Sequence, residues 1–285
     1  MVIVRHDSGW VSQIQATDHL SAGQYAAMAE WIAPQPHSTI LDIGCGPGGF
    51  LPYLADIAPM AHIVGADHDE ESLDAARSLV TTLALGDRVL IEHGDVLDPE
   101  SQPGPFDLVV SRQMVRHLPD QVDGLRRLAA RLAPGGRLIV GEGGLVTHYL
   151  PFELGRGTPG LMHRLVMAQA IRYAGMRAEL DHPVTSRYGW NVVLERAGLV
   201  VEETMSFLWD VPAPVADDAR AHIRNTLLRL LTGATRRYLS EEDIETLEWL
   251  LDPANPDGVE HRRDLFILGA ATLHRCSLPR AAYAS

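Results

Sequence analysis

Cysteine is scarce in this chain, and long apolar runs are missing. The 285 residues include two cysteines, Cys45 and Cys276, which do not make a disulfide framework. No apolar stretch approaches the roughly 18 residues that a membrane helix needs. The amino-terminal MVIVRHDSGW has no long apolar core after a basic start, so the sequence predicts no secretory signal. We therefore expect a protein of the reducing cytoplasm without a membrane-bound part.

Positive charge is also in short supply. The chain has 24 basic and 37 acidic residues, which gives a formal net charge of −13. Such a surface repels phosphate backbones, so nucleic acid is a disfavoured partner. We interpret the arginines at positions 126, 127 and 131 as a solvated helix face. The thirteen histidines show no tight metal-ligand spacing, so the sequence predicts no metal site, and it carries no signal for an oligomeric state.

A glycine-rich turn is the most informative feature. In ILDIGCGPGGF an apolar run ends in Asp42 and continues into Gly44, Gly46 and Gly48. These glycines permit a tight turn and leave no Cβ in the way of a ligand. Asp67 lies nineteen residues after Gly48, at the end of the next apolar run, where an acid can accept both hydroxyls of a ribose. The spacing predicts a site for a nucleoside-bearing cofactor.

The glycine pattern alone also suits a nicotinamide or flavin enzyme. Asp42 argues against both, because a dinucleotide fingerprint usually has an apolar residue there. An acid at this position disfavours a pyrophosphate and favours a cationic ligand. A purely structural interpretation is also open, in which Asp42 caps the turn and Asp95 caps another.

Strand and helix patterns alternate through the first half of the chain, which predicts a doubly wound α/β sheet. Two later strand-like segments predict an antiparallel end to a seven-stranded sheet. Helical insertions interrupt the pattern twice. We expect an amino-terminal helical segment at 1–38, a Rossmann-like cofactor-binding core at 39–144, a helical insertion at 145–198, and the end of the sheet at 199–285 with a helical lid at about 211–262. The predicted elements include one helix over 10–33, a helix over 121–132, a fifth strand over 137–140 and a capping box at Ser240 and Asp243.

Five segments in order resemble the class I S-adenosylmethionine-dependent methyltransferases. They are DIGCGPG, VGADHDEESLDAAR, EHGDVLD, FDLVVSRQMVRHLPD and LAPGGRLIVGEGG, which together span Thr39 to Gly144. The resemblance implies a Rossmann-like fold and S-adenosyl-L-methionine as cofactor. It implies cofactor contacts from Asp42, Gly44, Cys45, Gly46, Asp67, His68, Gly94, Asp95, Val96, Ser111 and Arg112.

The residues at the end of the fourth predicted strand exclude several subclasses of methyltransferase. Base-amino methyltransferases place an Asn or Asp with two prolines and an aromatic there, and 5-methylcytosine enzymes place Pro-Cys, whereas this chain has SRQM. Ser111 cannot replace the metal-binding aspartate of catechol enzymes, because hard cations need carboxylate or carbonyl oxygens. The function that remains is metal-independent transfer of a methyl group to a small molecule, a peptide or a lipid-like acceptor.

The reaction mainly needs positioning, because the sulfonium already activates the methyl group. An alcohol or phenol acceptor also needs a base, and His117 is the candidate, with Glu142 at the same edge. His148 and His163, in the first insertion, are candidates for lining an acceptor pocket. We expect a methyltransferase acting on oxygen, nitrogen or carbon of a small natural product. The alternatives are carboxyl or backbone methylation of a modified peptide, and a cofactor-binding fold that no longer methylates, such as a cyclase or binding protein.

Overall fold

Seven strands form one sheet. The computed structural model describes residues 9–184 and 186–279. The strand order is β3-β2-β1-β4-β5-β7-β6, and the last strand runs antiparallel, which confirms the predicted fold class. The strands are β1 (Thr39–Ile43), β2 (His62–Asp67), β3 (Val89–His93), β4 (Phe106–Arg112), β5 (Leu132–His148), β6 (Val200–Val211) and β7 (Ile267–Ser277).

The described helices precede the first strand or lie between consecutive strands along the chain. They are α1 (Trp10–Leu20), α2 (Ala22–Ile32), α3 (Leu51–Ile57), α4 (Glu70–Thr82), α5 (Gln121–Ala129), α6 (Leu161–Ala178), α7 (Trp190–Arg196), α8 (Asp217–Thr232) and α9 (Glu241–Leu251). Short 3₁₀ turns occupy Val115–His117 and Arg236–Tyr238. None of the helices within these residues combines the length and apolar character of a membrane-crossing segment.

The parallel register brings the functional strand ends to one edge. Asp42 lies opposite Gly65 of β2 and opposite Val110 of β4. Parallel strands that are aligned in this way place their carboxyl ends together, which is where ligands bind in open α/β sheets. Alternate side chains of β1 face different cores: Ile40 packs in one apolar cluster, whereas Leu41 packs in the other.

Three predicted elements differ from the structure. The expected single helix over 10–33 is two helices with a break at Ser21, whose N–H bonds the carbonyl of Thr17. The expected helix over 121–132 ends at Ala129, because Leu132 already pairs with Phe106. Strand β5 is therefore far longer than 137–140, and a register shift near its start lets the strand absorb the PGG sequence that resembled a turn.

The chain divides into two compact units. The core unit comprises residues 9–144, 182–207 and 271–279 of the described chain, and the insertion unit comprises residues 145–181 and 208–270. In the insertion unit, Ser240 caps α9 by accepting the Asp243 N–H at 3.1 Å, which is one half of the predicted capping box. The buried Asp243 carboxylate bonds Arg164 Nε at 2.9 Å.

Candidate active site

The glycine turn after β1 is held against β2 by backbone hydrogen bonds. Gly44, Gly46 and Gly48 have φ values of 78°, 56° and 82°, which are left-handed conformations that favour glycine. The N–H groups of Gly44 and Cys45 donate to the Ala66 carbonyl at 2.8 and 3.1 Å. A Cβ on Gly44 would lie 2.7 Å from Met114 Cγ, so the space beside this turn excludes a side chain.

Asp67 fastens the same turn from the end of β2. Its Oδ2 accepts the Gly46 N–H at 2.8 Å and its Oδ1 accepts the Asp69 N–H at 3.0 Å. His68 Nδ1 lies 3.3 Å from Oδ1. Burial raises the pKa of Asp67, but the hydrogen bonds from His68, Asp69 and Gly46 outweigh burial and lower that pKa below its usual value. The carboxylate is therefore ionised and preorganised beside the turn.

Asp42 is a buried acid with an unused oxygen. The residue is 1% exposed, and its Oδ2 has no hydrogen-bond partner among the described residues. Burial raises the pKa of Asp42 to about 6, and the Arg112 guanidinium opposes this rise. A buried acceptor without a partner is costly, so the position points to a donor that the described residues do not supply.

Arg112 provides a cation next to this acid. Its guanidinium carbon lies 4.0 Å from the Phe50 ring centroid and 4.6 Å from that of Tyr25. Its Nε is buried and has no partner among the described residues. The negative faces of the aromatic rings stabilise the cation at this position. Asp42 and Arg112 thus present one unused acceptor and one unused donor.

The sequence did not identify Asp18 and Tyr25 as part of this site. Tyr25 Oη donates to Asp18 Oδ1 at 2.7 Å. The Asp18 carboxylate occupies the space in which a Cβ on Gly49 would lie. Burial raises the pKa of Asp18, and it raises that of Tyr25 to about 12. In the sequence Tyr25 counts only as an apolar position of a helix, so no local signal indicates this contact.

Hydrogen bonds from backbone N–H groups hold the segment after β3. Gly94 N–H donates to the Asp67 carbonyl at 2.8 Å, which places the segment beside β2. Asp95 Oδ1 accepts the Leu97 N–H at 2.8 Å, so part of its carboxylate caps a turn, as the structural interpretation had it. Val96 is buried and packs in the apolar core.

Arg131 is buried, which contradicts the expectation of a solvated arginine face at this position. It is 4% exposed, and its Nη2 donates to the carbonyls of Asp98 and Ser101 at 3.0 and 2.9 Å. The guanidinium therefore holds the 95–101 segment in place. The helical pattern placed this residue on a helix, whereas α5 has already ended at Ala129.

The end of β4 and the adjacent part of β5 present two more buried polar groups. Ser111 is fully buried, and its Oγ has no partner among the described residues. Glu142 is 1% exposed, and its Oε1 accepts the Arg116 N–H at 3.1 Å. Its Oε2 is buried without a partner among the described residues, and burial raises the pKa of Glu142 to about 7. His117 lies partly buried in the 3₁₀ turn that this carboxylate holds, and its Nε2 lies 3.4 Å from Arg116 Nε.

The remaining candidates belong to different parts of the fold. In the insertion unit the rings of His148 and His163 have centroids 5.2 Å apart. Tyr188, in the core unit, is 50% exposed and lies under Arg196. Within residues 9–184 and 186–279, no group of three or more His, Cys, Asp or Glu side chains is arranged to hold a metal ion.

Comparison with known proteins agrees with this geometry. Residues 40–136 match a family model described as a methyltransferase domain. This match lies inside the segment that resembled class I methyltransferases, confirms that prediction, and confirms S-adenosylmethionine as the cofactor of the domain.

Individual relatives extend the comparison. The 27-O-demethylrifamycin SV methyltransferase of Amycolatopsis mediterranei is 24% identical over 67% of this chain and 74% of its own length. The trans-aconitate 2-methyltransferase of Methylobacterium radiotolerans is 32% identical over 52% of this chain and 50% of its own length. The chain spans 39%, 24% and 32% of the length of three other curated relatives. A solved Bacillus halodurans structure shares the fold, with a TM-score of 0.53 and 18% identity over 88% of this chain and 97% of that one.

Proposed function

We propose that this chain, which carries a class I S-adenosylmethionine-dependent methyltransferase domain over residues 40–136, transfers a methyl group from S-adenosylmethionine to a small-molecule acceptor. One observation carries the proposal. At a single edge of the sheet lie a turn with three left-handed glycines, an ionised Asp67 bound to that turn, and a buried Asp42 with an unused oxygen. This combination provides a backbone cradle and two acids for a cationic nucleoside.

The two unused polar groups fit the amino-acid end of this cofactor. That end carries an ammonium group, which is a donor, and a carboxylate, which is an acceptor. Asp42 Oδ2 is an unused acceptor and Arg112 Nε is an unused donor. Asp42 would hold the ammonium side and Arg112 the carboxylate side, so each buried group gains the partner it lacks.

The nucleoside end would lie along β2 and β3. Asp67 would accept the ribose hydroxyls, with the N–H groups of the Gly44–Gly46 turn close by. His68, which follows Asp67 and is partly exposed, would flank the adenine. Asp95 and the Val96 N–H would meet the adenine edge. Asp95 keeps capacity for this role, because the turn uses only its Oδ1 among the described contacts.

The bound cofactor supplies a methyl group on a sulfonium, which is already activated for in-line displacement. The protein then contributes position and exclusion of water. Fully buried Ser111, near the end of β4, and Glu142, in the adjacent part of β5, lie where the reaction would take place. His117 would take the proton from a hydroxyl acceptor, and Glu142 fixes its turn by accepting the Arg116 N–H.

A small-molecule acceptor is supported by the relatives and by the strand ends. The Amycolatopsis relative acts on a rifamycin and the Methylobacterium relative on trans-aconitate. The SRQM sequence at the end of β4 lacks the motifs for base methylation and for a catechol metal site. We therefore propose metal-independent methylation of a small metabolite or natural product.

Methyl-labelled S-adenosylmethionine tests this function directly. The protein is incubated with the labelled cofactor and small-molecule extracts of its host, and the label is followed by chromatography. Label in a low-molecular-weight product is expected. Label found only in peptides would favour the peptide alternative. Cofactor binding without any transfer would favour a fold that no longer methylates.

A further inference from the structure

The insertion unit contains a cavity of about 270 Å³, formed by β5, α6 and β7. Four apolar side chains and two histidines line it: Leu145, Val146, Val166, Leu268, His148 and His163. The volume lies just below the roughly 300–1,000 Å³ that is usual for small-molecule sites. A ligand of one or two fused rings suits a space of this size.

Three apolar side chains of the lining are exposed, so an apolar ligand could cover them. Leu145 is 68% exposed, Val146 is 56% exposed and Leu268 is 44% exposed. Three large apolar side chains around one cavity form a patch that gains free energy when an apolar ligand covers it. The lining thus favours the hydrocarbon part of a ligand.

The same lining offers no fixed charge. Its polar side chains are two imidazoles, and burial together with His163 lowers the pKa of His148, which favours the neutral ring. Arg164, the neighbour of His163 on α6, is already bound. Its Nε donates to Asp243 at 2.9 Å, and its Nη1 and Nη2 donate to the carbonyls of Pro159 and Thr158 at 2.7 and 2.8 Å. An anionic ligand would lose its hydration in this pocket without gaining a cation.

The two histidines give the pocket a polar end. Their ring centroids are 5.2 Å apart and their planes are inclined by 41°. A neutral imidazole has one donor and one acceptor nitrogen, so the pair can both donate to and accept from one oxygen. A hydroxyl on a ring satisfies this arrangement, since it has one donor and two lone pairs.

We propose that this cavity binds an uncharged, ring-bearing small molecule through a hydroxyl group. The proposal predicts discrimination between a hydroxyl and a carboxylate on the same ring system.

Matched probes and matched variants test the binding step in the full chain. The probes are 2-naphthol and 2-naphthoate, which share the ring system and differ in charge, and binding is measured by equilibrium dialysis. Val166→Phe fills the cavity from α6, whereas Met167→Phe adds the same ring at an exposed neighbour outside the lining. We expect 2-naphthol to bind at least about ten-fold more tightly than 2-naphthoate. Val166→Phe should weaken 2-naphthol binding by a similar factor, and Met167→Phe should not. Equal or tighter binding of 2-naphthoate, or equal binding by both variants, would overturn the inference.

Discussion

The Arg112 guanidinium lies 4.0 Å from the centre of the ring of Phe50, the residue that follows the glycine turn in the sequence. This contact fixes a cation next to the buried Asp42 carboxyl, and that cation lowers the Asp42 pKa against the effect of burial. Two aromatic side chains, Phe50 and Tyr25, thereby influence the charge of an acid at the cofactor edge.

Removal of this cation should change how cofactor binding depends on pH. The pKa of Asp42 is about 6, and the proposed ammonium partner favours the ionised acid, so affinity for S-adenosylhomocysteine should increase as pH rises through about 6. Arg112→Met raises the Asp42 pKa further, so the increase should move to higher pH. Calorimetry across pH 5 to 9 measures the shift.

Two variants serve as controls for this experiment. Asp42→Asn removes the titrating group and should give weak binding with little pH dependence in this range. Arg126→Met removes an exposed arginine of α5 and should leave the wild-type profile unchanged. Superimposable profiles for the wild type and Arg112→Met would show that Arg112 has no influence on Asp42.

Glu142 should make folding stability depend on pH. Its pKa rises from an ordinary 4.5 to about 7 in the fold, so its stabilising contribution is complete below about pH 4.5 and is lost as pH rises through 7. Glu142→Gln keeps an oxygen that can accept the Arg116 N–H. Relative to wild type, this variant should gain about 2–3 kcal/mol in free energy of unfolding between pH 5 and pH 8.

Urea denaturation at a series of pH values measures this difference. Glu100→Gln, at an exposed position, is the matched control and should track the wild type. A constant difference between wild type and Glu142→Gln from pH 5 to pH 8 would mean that Glu142 does not titrate in the folded protein over this range.

His117 gives a two-sided prediction about the acceptor. If the acceptor is a hydroxyl, His117→Gln should lower turnover by about 10²–10⁴, because a base must take the proton. If the acceptor is a neutral amine or an activated carbon, turnover should remain within a few-fold, because positioning suffices. His62→Gln, at an exposed position where β2 begins, is the control. Steady-state turnover with pH–rate profiles distinguishes the two cases, and a large loss with an unchanged profile would contradict a role as base.

The two acids of the site were predictable from the sequence for a simple reason. Asp42 and Asp67 each end an apolar strand pattern, and parallel strands bring such ends together. The glycine spacing between them is equally local. The sequence therefore predicted that the two acids meet at one edge of the sheet, and the fold class followed from the alternation of strands and helices.

Contacts that depend on tertiary packing were not predictable in this way. The contact of Arg112 with Tyr25 joins β4 to α2, and no periodicity indicates that pairing. The helical pattern predicted Arg131 on an exposed helix face. In the structure α5 ends at Ala129, and the buried Arg131 guanidinium donates to the carbonyls of Asp98 and Ser101. The length of β5 was missed because a PGG sequence is typical of turns, yet a register shift incorporates it into the strand.

The most direct test of the cofactor site is the affinity of Asp67→Ala for S-adenosylhomocysteine, compared with wild type and with Asp74→Ala. Asp74 is an exposed acid on the neighbouring helix α4. Asp67 holds the Gly46 N–H at 2.8 Å and would accept the ribose hydroxyls. Loss of these bonds costs about 1.5–3 kcal/mol, which is roughly ten-fold to over a hundred-fold in Kd. Calorimetry is expected to show this loss for Asp67→Ala and wild-type affinity for Asp74→Ala, with and without a metal chelator. Wild-type affinity in Asp67→Ala, or binding that a chelator abolishes, would contradict the account.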